Sequence, residues 1–226
     1  MANNIQNIIT IKGNQVEIDK MLKTVQVDSF GVGSIDFNKV LPIPKDLDIP
    51  ESSDTHKGIE LVKDFLEKIP KEDLSREGTF DEFMEYLKQY ANGLTQEKQN
   101  LWNLGIAAVS NLHYYNAATW YDWTAKNWGT TSLGYKFNKS ENQNELNFKT
   151  AWTAPKGIVR NLSKIHPDLE FQIKWADEDF GQNCGVETYK NGEVISSMLP
   201  HTNVAAVEFA ADVWQITPAD RELILN

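Results

Sequence analysis

Cysteine is almost missing: Cys184 is the only one in 226 residues. A single thiol excludes an internal disulfide framework and a cysteine-built structural zinc site, and it fits a reducing compartment. Long apolar runs are missing too. Nothing approaches the ~20 residues of a membrane-spanning helix, and no signal-peptide pattern opens the chain, so a cytoplasmic location is expected and a membrane partner is not. Catalytic signatures are equally scarce. Gly31-Val32-Gly33 lacks the third glycine of a dinucleotide fingerprint, and neither Gly-Lys-Ser/Thr nor Gly-x-Ser-x-Gly occurs. Asp179-Phe180-Gly181 spells a kinase triplet without the loops that give it meaning. His56, His113, His166 and His201 show no ligand spacing. His166 and His201 stand too far along the chain from Cys184 for spacing to support a nucleophile pair. These absences accumulate against an enzyme, and no cofactor is expected.

Positive charge is also in short supply. Lys plus Arg number 22 against 32 Asp plus Glu, for a net charge of −10. That excludes a generally basic nucleic-acid binder. The charge is unevenly spread: residues 1–110 carry −6, residues 111–166 carry +4, and residues 167–226 carry −8. The basic middle holds 10 of the 24 aromatics. Lysines interleaved with aromatics suit single-stranded nucleic acid, and they equally suit a core of Trp and Tyr with a solvated lysine side.

Hydrophobic periodicity gives the elements. Residues 5–12 are β-branched and read as a strand. Val16, Ile18, Met21, Leu22 and Val25 follow near-helical spacing, with Asn14 as the expected cap. Ser34–Leu41 alternates and is expected as a second strand, before Pro42, Pro44 and Pro50. After a polar linker over 46–56, Ile59–Ile69 predicts a helix ended by Pro70. Thr79 with Glu82 opens another with a capping-box pattern. A third carries a stripe of Leu101, Leu104, Ala108 and Leu112, and a fourth spans about 117–128. Then the period changes. Residues 132–137 and 146–152 predict a hairpin, and Pro155 opens a helix with Thr153 as its possible cap. Residues 169–175 alternate cleanly. Val186–Tyr189 and Val194–Ser197 flank Asn191-Gly192, the strongest hairpin signal in the chain. Residues 203–213 predict a last helix.

The expected fold is an α+β, ferredoxin-like antiparallel sheet packed with helices, plus an inserted helical subdomain. The expected boundaries are 1–45 for the first part of the α+β domain, 54–128 for the helical insertion and 129–226 for the second part.

Three stretches resemble one family. They are Phe37-Asn38-Lys39-Val40-Leu41-Pro42-Ile43-Pro44; the segment from Trp120-Tyr121-Asp122-Trp123 through Trp128-Gly129-Thr130; and Phe148 through Pro155, followed by Leu162-Ser163 and Pro167. The sequence is similar to the Api92-like, YubB ferredoxin-like proteins of phages, prophages and plasmids. Two departures stand out. Such proteins continue the signature with Lys-Trp-Asn, where this chain has Thr131-Ser132-Leu133, and open with a Trp-Cys-containing segment, where it has Asn3-Asn4-Ile5-Gln6. The resemblance implies a mobile-element origin and a ferredoxin-like fold. It implies no established reaction and no catalytic residues.

Trp120, Trp123, Trp128, Gly129 and Trp152 read as a structural signature, with Trp120, Trp128 and Trp152 expected at the joint between sheet and insertion. Asp168, Glu170, Asp177, Glu178, Asp179, Glu187 and Glu193 are the candidate interaction surface, expected to project negative charge on one side. The leading functional expectation is a non-catalytic mobile-element accessory protein that binds a macromolecule, a host or phage protein. One alternative is an acidic nucleic-acid mimic that inhibits a host nucleic-acid-binding or defence protein. Another is a single-strand nucleic-acid binder, not favoured by the overall charge. A last one is a metal-using enzyme at Asp177–Asp179, whose consecutive carboxylates match no calcium loop.

Overall fold

The computed structural model describes residues 3–68, 78–217 and 220. Two compact units emerge: Met1–Pro42 with Thr124–Asn226, and Ile43–Trp123.

The first unit is built on one antiparallel sheet of six strands: β1 (Asn4–Lys12), β2 (Tyr135–Asn138), β3 (Glu145–Ala151), β4 (Glu170–Asp177), β5 (Gly185–Lys190) and β6 (Glu193–Met198). Their order across the sheet is β2-β3-β1-β4-β5-β6. The inner four, read as β4-β1-β3-β2, have the ferredoxin-like arrangement. β1 lies between β3 and β4, the two strands joined by α7 (Lys156–Ile165). The β5–β6 hairpin then widens the sheet beyond β4.

Period-two alternation decides which side of the sheet is core. Ile5, Ile9 and Ile11 of β1 stand beside Leu146 and Phe148 of β3 and Phe171 and Ile173 of β4, all buried. α1 (Gln15–Val25) buries Ile18, Met21, Leu22 and Val25 but leaves Val16, in its first turn, exposed, and the Asn14 side chain caps it by accepting from Val16 N at 2.9 Å. On the opposite side, Ile8 and Ala176 pack against Ala206, Ala210 and Val213 of α8 (Asn203–Val213).

Residues 34–41 are not a strand. The Asp36 carboxylate accepts from Asn38 N at 2.9 Å and caps one helical turn, α2 (Phe37–Val40), whose Phe37 and Val40 are buried at i and i+3. The local Asx cap outcompetes the alternation that suggested a strand. The strand paired to the outer side of β3 is therefore β2, a hundred residues further on. The expected Thr153 cap is also absent. Pro155 occupies the position before α7 with no side-chain cap.

The second unit is helical: α3 (Ser53–Lys68), α4 (Phe80–Tyr90), α5 (Gln96–Tyr115) and the first residues of α6 (Trp120–Asn127). The expected stop at Pro70, with Ile69, lies outside the described residues. Thr79 and Glu82 form the expected capping box of α4. Val62, Met84, Leu87, Trp102 and Ile106 make the core, and Trp102 Nε1 donates to Leu87 O at 2.9 Å. The α5 stripe is met in part. Ala108 is buried as expected, but Leu112 is exposed, Leu101 and Leu104 are half-buried, and Trp102, Ile106 and Asn111 turn inward instead. Trp102 has the largest apolar area to hide, and it sets which face turns inward.

Candidate interaction face

The Trp128-Gly129 signature leads directly to the most structured surface of the first unit. Trp128 is 2% exposed, its Nε1 donates to Leu41 O at 2.9 Å, and its ring meets Phe37 edge-on. Gly129 takes a φ of +84°, which favours glycine. The Trp128 carbonyl is thereby turned onto the start of α7, where it accepts from Gly157 N at 2.9 Å and Ile158 N at 3.3 Å. Those are among the orphan N–H groups that a helix start must satisfy, so the signature supplies from a distance the cap that Thr153 does not.

α7 positioned in this way runs along β5. Lys156, Arg160 and Lys164 fall at i, i+4 and i+8, one stripe of the helix. Four helical residues advance about 6 Å and two strand residues advance about 6.6 Å. The two rulers nearly match, and each cation meets its own position on the hairpin. Lys156 Nζ lies 2.9 Å from Glu187 Oε1 and 3.8 Å from the centre of the Trp175 ring. The Arg160 guanidinium stands 6.0 Å from the Tyr189 ring. The Lys164 stem covers Gly192 in the β5–β6 turn, and Ser163 Oγ accepts from Gly192 N at 3.0 Å. Asn191 and Gly192 both take positive φ, the geometry expected of this turn.

The electrostatics of this ladder are settled rather than reactive. Burial works to raise the Glu187 carboxyl, but hydrogen bonds from Tyr189 and Lys156, with the charges of Lys156 and Arg160, outweigh it and hold the carboxyl below its ordinary range. Tyr189 donates its hydroxyl to Glu187, and burial together with that carboxylate pushes the phenol far above its usual value. Both groups keep a fixed proton state around neutrality, whereas general acid–base work wants a group poised near it. Cys184 is buried, its thiol is pushed up by that burial, and it donates to Ala206 O at 3.8 Å.

β6 lies at the outer edge of this ladder. All six of its residues are exposed, and no charge occurs from Val194 through Leu199. A bulge opposite Thr188 and Tyr189 leaves Ile195 without a direct partner and turns it outward, 54% exposed. Val194, Met198 and Leu199 are exposed beside it.

The seven acidic candidates do not share one side. Asp168 precedes β4, Asp177 closes its other end and Glu178 and Asp179 follow, about 25–30 Å away at strand rise. Glu170 lies on the α8 side of the sheet, paired with Lys12 at 3.2 Å, and Glu187 on the α7 side. Glu193 stands at the hairpin turn. The period-two alternation of β4 and β5 distributes them over both faces. The Asp177–Asp179 run is turned toward the start of β1. Asn3 Nδ2 donates to Asp177 at 3.2 Å and to Asp179 at 2.9 Å, and Asp177 is buried. Asn4 donates its backbone N and its Nδ2 to Glu178, and those two bonds hold the Glu178 carboxyl below its ordinary range. Asn3 and Asn4 thus fasten this run to the start of β1.

Of the signature residues, Trp123 and Trp128 are buried and Trp120 is half-buried. Trp152 is 53% exposed with a φ of +68°. Sequence reasoning missed Lys156, Arg160, Lys164, Tyr189 and Ile195. The first three were visible as an i, i+4, i+8 repeat in a helix read only for its apolar face.

Residues 134–217 match the family model described as the ferredoxin-like domain in Api92-like protein. Comparison with curated proteins finds no match. Among solved structures, the chain is similar to the crystal structure of a protein Api92 from Yersinia pseudotuberculosis, at 13% identity and a TM-score of 0.42, over 88% of this chain and 98% of that one. No helix among the described residues is long and apolar enough to cross a membrane.

Proposed function

We propose that this protein is a non-catalytic accessory protein of phages and related mobile elements that binds another protein in the bacterial cytoplasm, and that β6 is the strand it offers; the match of residues 134–217 to the ferredoxin-like domain in Api92-like protein supports the reading. The observation that carries this reading is the condition of β6: an edge strand of six residues, exposed throughout and without a charge from Val194 to Leu199. Sheet edges of this kind present unpaired N–H and C=O groups, and added strands are a recurrent means of protein recognition. The fixed proton states of Glu187 and Tyr189 support a binding role over a catalytic one. The acidic residues lie on both faces and at both ends of the sheet, which favours this reading over a nucleic-acid mimic.

The test is affinity capture from a bacterial lysate with the wild-type chain and with Ile195→Lys, followed by hydrogen exchange on the recovered complex. A lysine at an outward edge position is a natural guard against strand addition. Capture by the wild type, loss in the variant, and new protection of amides 194–198 in the complex are the expected results. A partner that stays bound to Ile195→Lys and leaves those amides unprotected overturns the reading.

A further inference from the structure

Resting on the reading of β6 as a docking strand, we propose that its occupant is an extended segment of a partner protein carrying acidic side chains at alternate positions, held by backbone pairing to β6 and by Arg160 and Lys164 of α7. The argument is one of charge complementarity. Lys156 is committed to Glu187. Arg160 and Lys164 have no carboxylate within salt-bridge distance among the described residues, although the chain carries a net charge of −10. Both are exposed, on the side of the sheet to which Glu187 and Tyr189 point.

A strand added outside β6 would lie about 10 Å from β5, two strand spacings. Every second side chain of that strand would face the α7 side. On this side β6 presents Ser197, paired with Glu187, and Val194, paired with Tyr189. Both are short, so they leave the space above β6 open. Carboxylates reaching inward across it and cations reaching outward from α7 meet there, and Arg160 offers its planar fork to a carboxylate. The other side chains of the added strand face the side of Ser196 and Met198, which asks for small or apolar residues. The sequence class is therefore acidic–apolar alternation. A basic or uncharged strand of the same length gains the backbone bonds but not the charge-assisted ones.

The probes are three fluorescein-labelled heptapeptides alternating valine with glutamate, with glutamine or with lysine, titrated by fluorescence anisotropy against the full chain. The glutamate peptide is expected to bind at least ten-fold more tightly than the lysine peptide. Arg160→Glu/Lys164→Glu, both at exposed positions, is expected to reverse that order, and Ile195→Lys to weaken all three. Equal binding of the three peptides, unchanged by the charge reversal but lost in Ile195→Lys, overturns the acidic partner and leaves the docking strand standing. No binding by any peptide overturns the docking strand itself. Two further measurements are decisive. A concentration-dependent dimer abolished by Ile195→Lys makes a second copy the occupant, and oligothymidylate binding lost on the charge reversal makes nucleic acid the ligand; either overturns the proposal.

Discussion

The sheet has two edges, and they are finished differently. β2 has four residues, a register shift between Tyr135 and Asn138, a lysine at position 136 with a φ of +50°, and Lys139 just beyond. Behind it, Phe137 meets Phe30 and Phe148, and Phe37 links Phe148 to Trp128. β6 also has a bulge, but it is longer, uncharged along its middle, and backed by the Lys156–Glu187–Tyr189 ladder in place of an aromatic core. Shortness, lysine and a bulge are each means of guarding an edge. β2 has all three and β6 only one, and that one projects an isoleucine outward. The chain carries the means to close an edge and applies them on one side.

The largest effect that sharpens this contrast is expected from Trp128→Ala. It empties the aromatic core behind β2 and releases the bond to Leu41 O, so unfolding by denaturant should show a loss of about 3–5 kcal/mol. Near-unchanged stability would mean that the β2 side is no better supported than the β6 side. A smaller loss, about 1–2 kcal/mol, is expected from Glu187→Gln, which weakens the charge-assisted bonds behind β6. Its pH dependence separates it from a simple change of fit. The Glu187 carboxyl sits below its ordinary range in the folded protein, so its stabilisation is present above the unfolded carboxylate range and is lost as pH falls through the folded value. Between roughly pH 5 and pH 3 the wild type should lose more stability than Glu187→Gln, and the two curves should converge. Parallel curves would sink the ladder as an electrostatic device.

Much of this was legible in the residues. Strict alternation placed β4, Asn191-Gly192 placed the β5–β6 turn, and Thr79 with Glu82 placed the start of α4. These are signals between near neighbours, where one or two bonds decide the outcome. The failures were signals whose meaning depends on distant partners. Residues 34–41 alternate like a strand, yet the Asp36 cap decides for a helical turn. Thr153 looked like a cap, but α7 receives its acceptor from Trp128, some thirty residues earlier. The acidic residues looked like one surface because sequence shows their number and not the face on which each lands. The α7 ladder failed to show for the reverse reason. Its spacing was plain, but its meaning depends on β5 lying alongside with nearly the same step.

The finest test of the two edges concerns Lys136 itself. A lysine held at φ +50° pays about 1 kcal/mol of backbone strain, and glycine adopts that conformation freely while losing more freedom on folding. Lys136→Gly should therefore fall between no change and a gain of about 1 kcal/mol, read as a rise in Tm of at most a few degrees for a chain of this size. If β2 is closed by its shortness and bulge, the glycine variant will still refuse the alternating peptides, because neither feature depends on the lysine side chain. If the variant takes them up at β2, the lysine alone is the guard, and the difference between the two edges reduces to a single charge.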